Sequence, residues 1–183
     1  MRNLGYLADE RGRPEECEKW WRAGTEAGDA TSAYNLGYML AQQRRMEEAA
    51  QFYEIASEAG DVEAMVNLSN VLDHLGREDD AEQWLHRAAE QGDGGAMNNL
   101  GSRYFKARRT DEAEEWWRKG AEAGEREAMY NLAVVLDARN DVEEAKRFLK
   151  AAAQRGHGRA RRLQEEMEAE QGPGGRPHIQ GIF

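Results

Sequence analysis

The residues with the clearest chemical potential are asparagines that recur every 32 residues along the chain. They are Asn3, Asn35, Asn67, Asn99 and Asn131, each followed by a leucine. A side-chain amide both donates and accepts hydrogen bonds, so it can pair with the N–H and C=O groups of a peptide bond whatever the neighbouring side chains. Amides set one per repeat would contact an extended chain as a ladder. The alternative is that each asparagine bonds to a neighbouring helix as part of the repeat's own framework.

Other residue types that carry chemistry show no spacing typical of a site. The histidines His74, His86, His157 and His178 have no metal-ligand spacing, and Cys17 falls in a column of small residues that indicates packing. No phosphate-binding loop or nucleophile motif is present, because the recurring glycines stand where helices end. We therefore predict no catalytic residues, no metal site, no cofactor and no enzyme activity.

Composition narrows the class of protein. The 183 residues are 33% charged and 40% hydrophobic, with three prolines and a formal charge of -10. Strong helix formers favour an all-helical fold, and the negative charge argues against nucleic acid as a partner. No stretch approaches the roughly 18 apolar residues of a membrane span. One cysteine cannot form an internal disulfide, so we expect a soluble, cytoplasmic protein that does not bind membranes.

Pairs of amphipathic helices must position the asparagines. The first helix of a unit is typified by Ala96 to Tyr104, and the second runs from Asp111 to about Ala123. Paired acids at the start of each second helix offset the helix dipole. A glycine ends it, and an aspartate then caps the next first helix. Glu125 and His157 replace that aspartate in the later units, where we expect weaker capping.

Two further columns explain how the hairpins pack. Small residues, Cys17 and then four alanines, let paired helices approach closely. An aromatic column is expected to fill the space between hairpins, and it consists of Trp20, Phe52, Trp84, Trp116 and Phe148. No hairpin can bury its apolar face alone, so we expect stability to come from stacked neighbours.

The two ends depart from the repeat. The stretch from Arg159 to Gln171 begins like a sixth first helix, but Leu163 replaces the asparagine, so we expect a polar capping helix. Residues 1–171 then form the repeat domain, and residues 172–183 are expected to be a flexible tail. An alternative is that this tail, ending in Ile182 and Phe183, occupies a groove or mediates self-association. Met1 falls inside a first-helix column, which predicts repeats further upstream.

These columns resemble the Sel1-like and tetratricopeptide repeat families. The first-helix pattern A-M-x-N-L-G, the A-x-x-W-W core and the segment Arg87 to Ala96 are similar to Sel1-like units. The short turn inside each hairpin is similar to tetratricopeptide units, although the proline before each new repeat is replaced by Gly-Asp. The resemblance covers residues 1 to about 162. It implies a right-handed α-solenoid of about five helix-turn-helix repeats, with first helices lining a concave groove and no enzyme activity.

Groove-facing positions transferred from those families give the candidate binding residues. They are Tyr34, Asn35, Tyr38, Asn67, Asn70, His74, Asn98, Asn99, Ser102, Tyr130 and Asn131. The tyrosines are interpreted either as binding anchors or as ordinary lining. The groove carries Glu63, Asp73, Glu127 and Asp137 against Lys106, which predicts a neutral or basic ligand segment. A cluster of arginines at positions 155–162 is interpreted as a solvated face, with an acidic partner as the alternative.

The leading hypothesis is a non-catalytic scaffold or adaptor that binds a protein or an extended peptide. The second is the sensor domain of a longer signalling or transcription-control protein, and an enzyme is the least favoured. Because fold constrains function only to a class, the partner itself stays open.

Overall fold

The computed structural model describes residues 13–170, and the side chains of residues 13–166. In this part of the chain the regular elements are α-helices of 13 residues each. In chain order they are α1 Pro14–Glu26, α2 Ala30–Gln42, α3 Met46–Glu58, α4 Val62–His74, α5 Glu78–Glu90, α6 Gly94–Lys106, α7 Thr110–Glu122, α8 Arg126–Ala138, α9 Val142–Gln154 and α10 Gly158–Glu170. Equivalent helices start 32 residues apart, so the predicted repeat of helical hairpins is confirmed.

The chain divides into two compact units, Met1–Gln91 and Gly92–Phe183. The first contains α1 to α5 and the second α6 to α10. Within each unit every helix packs against the next one in the sequence, and first helices of consecutive repeats also touch, α2 with α4 and α6 with α8. The predicted capping helix is confirmed as α10, whereas the predicted tail, residues 172–183, and Met1 lie outside the described residues.

Helix ends follow the predicted chemistry with two exceptions, Asp29 and His157. Asp29 forms no side-chain hydrogen bond to the backbone of α2 and accepts one from the Ser32 hydroxyl instead. The recurring glycines have positive φ angles, from 82° at Gly28 to 92° at Gly60, which glycine adopts with little cost. Asp61 and Asp93 accept hydrogen bonds from backbone N–H groups three residues on, at 2.9 and 2.6 Å. The prediction of a weaker cap at His157 is wrong, because its Nδ1 accepts the same bond from the N–H of Ala160 at 3.0 Å.

A second left-handed column lies in the turn inside each hairpin. Its residues are Arg44, Gly76, Arg108 and Asn140, with φ angles of 63°, 75°, 63° and 65°. The backbone N–H of the following residue reaches the carbonyl five positions back, as from Arg109 to Tyr104 at 2.9 Å. Three of the four positions hold a residue other than glycine, which conceals this column in the sequence.

The aromatic core lies one position later than predicted. Trp117 is 3% exposed and Trp21 5%, whereas Trp116 is only half-buried, with the Nζ of Lys119 4.0 Å from its ring centre. The prediction that the column of Trp116 fills the core is therefore wrong for most of its members, although Trp84 is buried. Successive helical residues point about 100° apart, so only one of two adjacent aromatics faces the packed side.

Close helix contacts depend on small residues, as expected. The predicted small column, from Cys17 to Ala145, is at most 1% exposed. A Cβ added at Gly101 would lie 2.5 Å from Nε1 of Trp117, so the indole sits directly on the backbone of α6. Within residues 13–170 no helix is both long enough and apolar enough to cross a membrane.

Candidate functional site

In the first unit, three polar side chains join the first helices α2 and α4. The Tyr34 hydroxyl donates a hydrogen bond to Oε1 of Glu63 at 2.7 Å and accepts one from Nδ2 of Asn67 at 3.3 Å. Burial, and then the Glu63 carboxylate, raise the pKa of Tyr34 well above its usual 10, so the phenol keeps its proton. Asn67 therefore makes the helix-to-helix bond that the framework interpretation predicts.

Three other candidates in this unit are exposed to solvent. Tyr38 is 52% exposed on α2. Asn70 and His74 are exposed on α4, and Asn70 is one repeat after Tyr38 in the sequence. Asn35 is half-buried. We call the side of the first helices that carries the candidate residues the first-helix face of a unit.

In the second unit, an asparagine again links two first helices. Nδ2 of Asn131 on α8 donates to Oδ1 of Asn98 on α6 at 2.9 Å. The backbone carbonyl of Asn98 accepts from Oγ of Ser102 at 3.0 Å and from Nε1 of Trp117 at 3.3 Å. The side-chain bond between Asn131 and Asn98 joins residues 33 positions apart, as does the bond from Asn67 to Tyr34 in the first unit. Asn99, by contrast, is half-buried and makes no side-chain hydrogen bond to another described residue.

Tyr130 is a core residue of the second unit. Its side chain is 4% exposed and its ring stacks on the imidazole of His157, with ring centres 4.3 Å apart. Nε2 of His157 lies 2.8 Å from Oε2 of Glu127, while Nδ1 caps α10. These two bonds fit the neutral tautomer, in which Nε2–H donates and Nδ1 accepts. Of the two interpretations of this tyrosine, its burial favours ordinary lining over an open binding anchor.

The four carboxylates that were predicted to give the groove its negative charge differ in their surroundings. Asp137 was assigned to the groove, yet it is 4% exposed. Glu127 is bonded to His157, and Glu63 to Tyr34. Two of the four predicted groove carboxylates therefore serve the framework, and a third is buried.

A pocket of about 370 Å³ lies beside α8 and the start of α10 in the second unit. Its lining residues are Arg126, Glu127, Tyr130, Asn131, Gly156, His157, Gly158, Arg159 and Arg162. Only Tyr130 and Asn131 were among the candidate residues. Glu127 was predicted as a groove carboxylate. The signal for Arg159 and Arg162 was the arginine cluster at positions 155–162, which the structure divides, because Arg155 and Arg161 do not line the pocket.

These arrangements provide amides, phenols, an imidazole and guanidinium groups for hydrogen bonding. Among residues 13–166 no group of three or more histidine, cysteine, aspartate or glutamate side chains is placed to hold a metal ion. Cys17 is buried as a free thiol. The side chains on the first-helix faces can form hydrogen bonds and ion pairs.

Known protein families and solved structures share this architecture of repeated helical hairpins. One tetratricopeptide-repeat family model matches residues 62–90, 95–128 and 126–159, and a second matches residues 2–61. A Sel1 repeat protein from Oxalobacter formigenes is similar in structure, with a TM-score of 0.77 and 25% identity over 97% of this chain and 81% of that one. Among curated protein sequences, none matches the chain.

Two further solved structures are similar. One is c5321, a protective antigen of uropathogenic Escherichia coli strains with an SLR fold, at TM-score 0.70 and 26% identity over 83% of this chain. This chain spans 36% of that antigen's length. The other is YrrB, a TPR protein with an unusual peptide-binding site, which shares the fold at TM-score 0.60 and 24% identity, with 89% of each chain covered. On its family matches the chain belongs to the tetratricopeptide repeat family, and its hairpin architecture is similar to that of Sel1 repeat proteins.

Proposed function

We propose that this protein is a non-catalytic scaffold whose first-helix face binds an extended peptide segment of a partner. The family to which it belongs typically serves protein interaction. The observation that carries the proposal is the exposure of Tyr38. Its side chain is 52% exposed, although its helix, α2, packs against both α1 and α3. Tyrosine supplies a large contact area with few rotamers to freeze, which makes it a frequent hot spot in interfaces.

The surroundings of Tyr38 in the first unit suit a peptide. Asn70 and His74 are exposed and supply donors and acceptors for backbone groups. Asn67 is held by Tyr34, so it contributes to the shape of the surface rather than to its free hydrogen-bonding capacity. In the second unit Asn99 is half-buried without a hydrogen-bond partner among described side chains, which leaves its amide available to a ligand.

Charge on the first unit favours a neutral or basic segment. Glu63 and Asp73 lie exposed on α4. The last turn of this helix contains one basic residue, His74. A peptide with lysine or arginine over α4 would gain modest attraction that weakens as salt is added. We also propose that the protein acts as an adaptor in the cytoplasm and that its repeat domain ends near residue 171.

A matched pair of exposed apolar residues tests the proposal. Among the described residues, the large hydrophobic side chains that are exposed are Tyr38, at 52%, and Ile55, at 47%. Tyr38 lies on the first helix α2, whereas Ile55 lies on the second helix α3. Since neither is buried, replacing either with alanine should leave the fold intact.

Peptides would be selected from a random display library on the immobilised full chain, and the affinity of a selected peptide measured by calorimetry. We expect Tyr38→Ala to weaken binding at least about tenfold, in line with an interface hot spot. Ile55→Ala should change the affinity less than about twofold. Equal losses in both variants, or a loss in Ile55→Ala alone, would place binding on another surface and overturn the proposal.

A further inference from the structure

The pocket beside α8 and α10 has an excess of positive charge. Arg126, Arg159 and Arg162 line the pocket with a single carboxylate, Glu127, which lies 2.8 Å from Nε2 of His157 and 3.7 Å from Nε of Arg126. Arg159 and Arg162 are exposed and form no ion pair with another described residue. In contrast, Arg118 and Arg139 of the same unit each contact two carboxylates. The pocket therefore presents guanidinium groups whose charge the described part of the chain does not neutralise.

A buried hydroxyl at this pocket also lacks a partner. The Tyr130 side chain is 4% exposed, and its oxygen has no hydrogen-bond partner within the described residues. Burial raises the pKa of this phenol, and the charge of the nearby Arg159 opposes that effect. A buried hydroxyl without a partner costs about 1–3 kcal/mol, so such groups point to a missing acceptor.

The repeat shows why the acceptor is missing. In the first unit Tyr34 bonds to Glu63, 29 positions later, and to Asn67, 33 positions later. The residues at the same offsets from Tyr130 are Arg159 and Leu163. A cation and an apolar side chain thus replace the carboxylate and the amide. An anion supplied from outside would restore the acceptor for Tyr130 and neutralise Arg159 together.

The start of α10 adds further donors at the same place. Gly158 and Arg159 line the pocket as the first two residues of this helix, where backbone N–H groups have no partner within the helix. A Cβ added at Gly158 would meet no atom within 4 Å, so the space beside its Cα is open. Amides at a helix start together with arginine forks are the donors that phosphate oxygens prefer.

We propose that this pocket binds a phosphate group, either free or as a phosphomonoester on a side chain of the bound partner. A phosphomonoester carries about -1.5 to -2 charges at pH 7, which matches three guanidinium groups beside one carboxylate better than a carboxylate ligand does. Arg159 and Arg162 contact the phosphate oxygens, and the Tyr130 hydroxyl donates to one of them. The phosphoester form deepens the proposed function and rests on it, whereas phosphate binding itself requires no peptide.

Titration of the full chain with inorganic phosphate tests the site, followed through the backbone ¹⁵N–¹H signals of Gly158 and Arg159. We expect saturable shifts, and a Kd at least about tenfold higher in Arg159→Gln/Arg162→Gln, as for loss of charge-assisted hydrogen bonds. The matched control is Arg155→Gln/Arg161→Gln, which removes the same charge from residues that do not line the pocket. It should change the Kd less than about threefold. Tyr130→Phe, which keeps the ring stacked on His157, should raise the Kd about threefold to tenfold.

Two further probes decide the ligand class. N-acetyl-O-phosphoserine N-methylamide binding as tightly as phosphate supports the phosphorylated side chain, and binding of inorganic phosphate alone supports the free ion. The proposal is overturned if shifts do not saturate, if acetate binds as tightly as phosphate, or if the control pair weakens binding as much as the pocket pair. Thermal unfolding of each variant shows whether a lost signal reflects a lost fold. Because no peptide is used, failure here leaves the Tyr38 test of the proposed function unaffected.

Discussion

Two tyrosine hydroxyls on the first helices have opposite surroundings. Tyr34 donates to Glu63 at 2.7 Å and accepts from Asn67 at 3.3 Å, whereas the Tyr130 hydroxyl is buried without a described partner. Removing a hydroxyl that makes hydrogen bonds costs about 1 kcal/mol, while removing one that makes none costs little and can even stabilise. The same chemical change should therefore have different effects at the two positions.

We expect Tyr34→Phe to lower the free energy of unfolding by about 1 kcal/mol and Tyr130→Phe to change it by less than about 0.5 kcal/mol. Urea unfolding followed by circular dichroism measures both. Tyr38→Phe serves as the exposed control and should match the wild type. If Tyr130→Phe were the more destabilising change, its hydroxyl would have a partner in the protein, and the argument for an external acceptor would fail.

At the scale of the helices, the period of 32 residues makes most of the fold predictable. The positions at which helices start, and the glycines that follow the second helices, recur in each repeat. A helix assigned in one repeat can therefore be compared with its equivalent in the next. The face that each helix buries is harder to read, because Trp20 and Trp21, like Trp116 and Trp117, offer adjacent apolar positions. Both columns are apolar throughout most of the sequence, so the structure decides between them: Trp21, Tyr53, Leu85, Trp117 and Leu149 are all at most 5% exposed.

The two neighbouring tryptophans of α7 provide the test at this scale. Trp117 is 3% exposed and lies against Gly101, so Trp117→Ala should cost about 3–5 kcal/mol. Trp116 is half-buried beneath Lys119, and Trp116→Ala should cost less than about half of that. Chemical unfolding of the two variants compares them directly. Equal costs would contradict the assignment of the core to the column of Trp117.

Across the whole molecule, ion pairs connect second helices of consecutive repeats. Arg45 contacts Glu18 at 2.8 Å in the first unit, and Arg118 contacts Glu144 at 2.7 Å in the second. The Arg45 guanidinium holds the pKa of Glu18 below its usual 4.5, and Arg118 does the same for Glu144. A lowered folded-state pKa means that the stabilisation is present above pH 4.5 and is lost as the pH falls through the folded value. Each pair is partly exposed, so each contributes modestly.

We therefore expect the free energy of unfolding to fall as the pH is lowered below about 4.5. The difference in stability between the wild type and Glu144→Gln should shrink over the same interval, because protonation removes the charge that the substitution removes. Urea unfolding at a series of pH values measures both proteins. A difference that stays constant down to pH 3 would show that Glu144 and Arg118 are not coupled in solution.

The candidate site was less predictable than the fold. Family positions identified Tyr38, Asn70 and His74, which are exposed, but they could not show that Asn67 and Asn131 bond to neighbouring first helices. These bonds depend on which residue stands 33 positions earlier, and that residue varies between repeats. Burial of Tyr130 likewise depends on His157, which stands where other repeats have aspartate or glutamate.

The central claim is that the first-helix face holds an extended peptide, and chemical-shift mapping of the full chain with a peptide selected by display tests it most directly. We expect shifts at Tyr38 and at the side-chain amide of Asn70, with the backbone signals of α3 and α5 little changed. Shifts concentrated on those second helices, around Ile55, would contradict the claim.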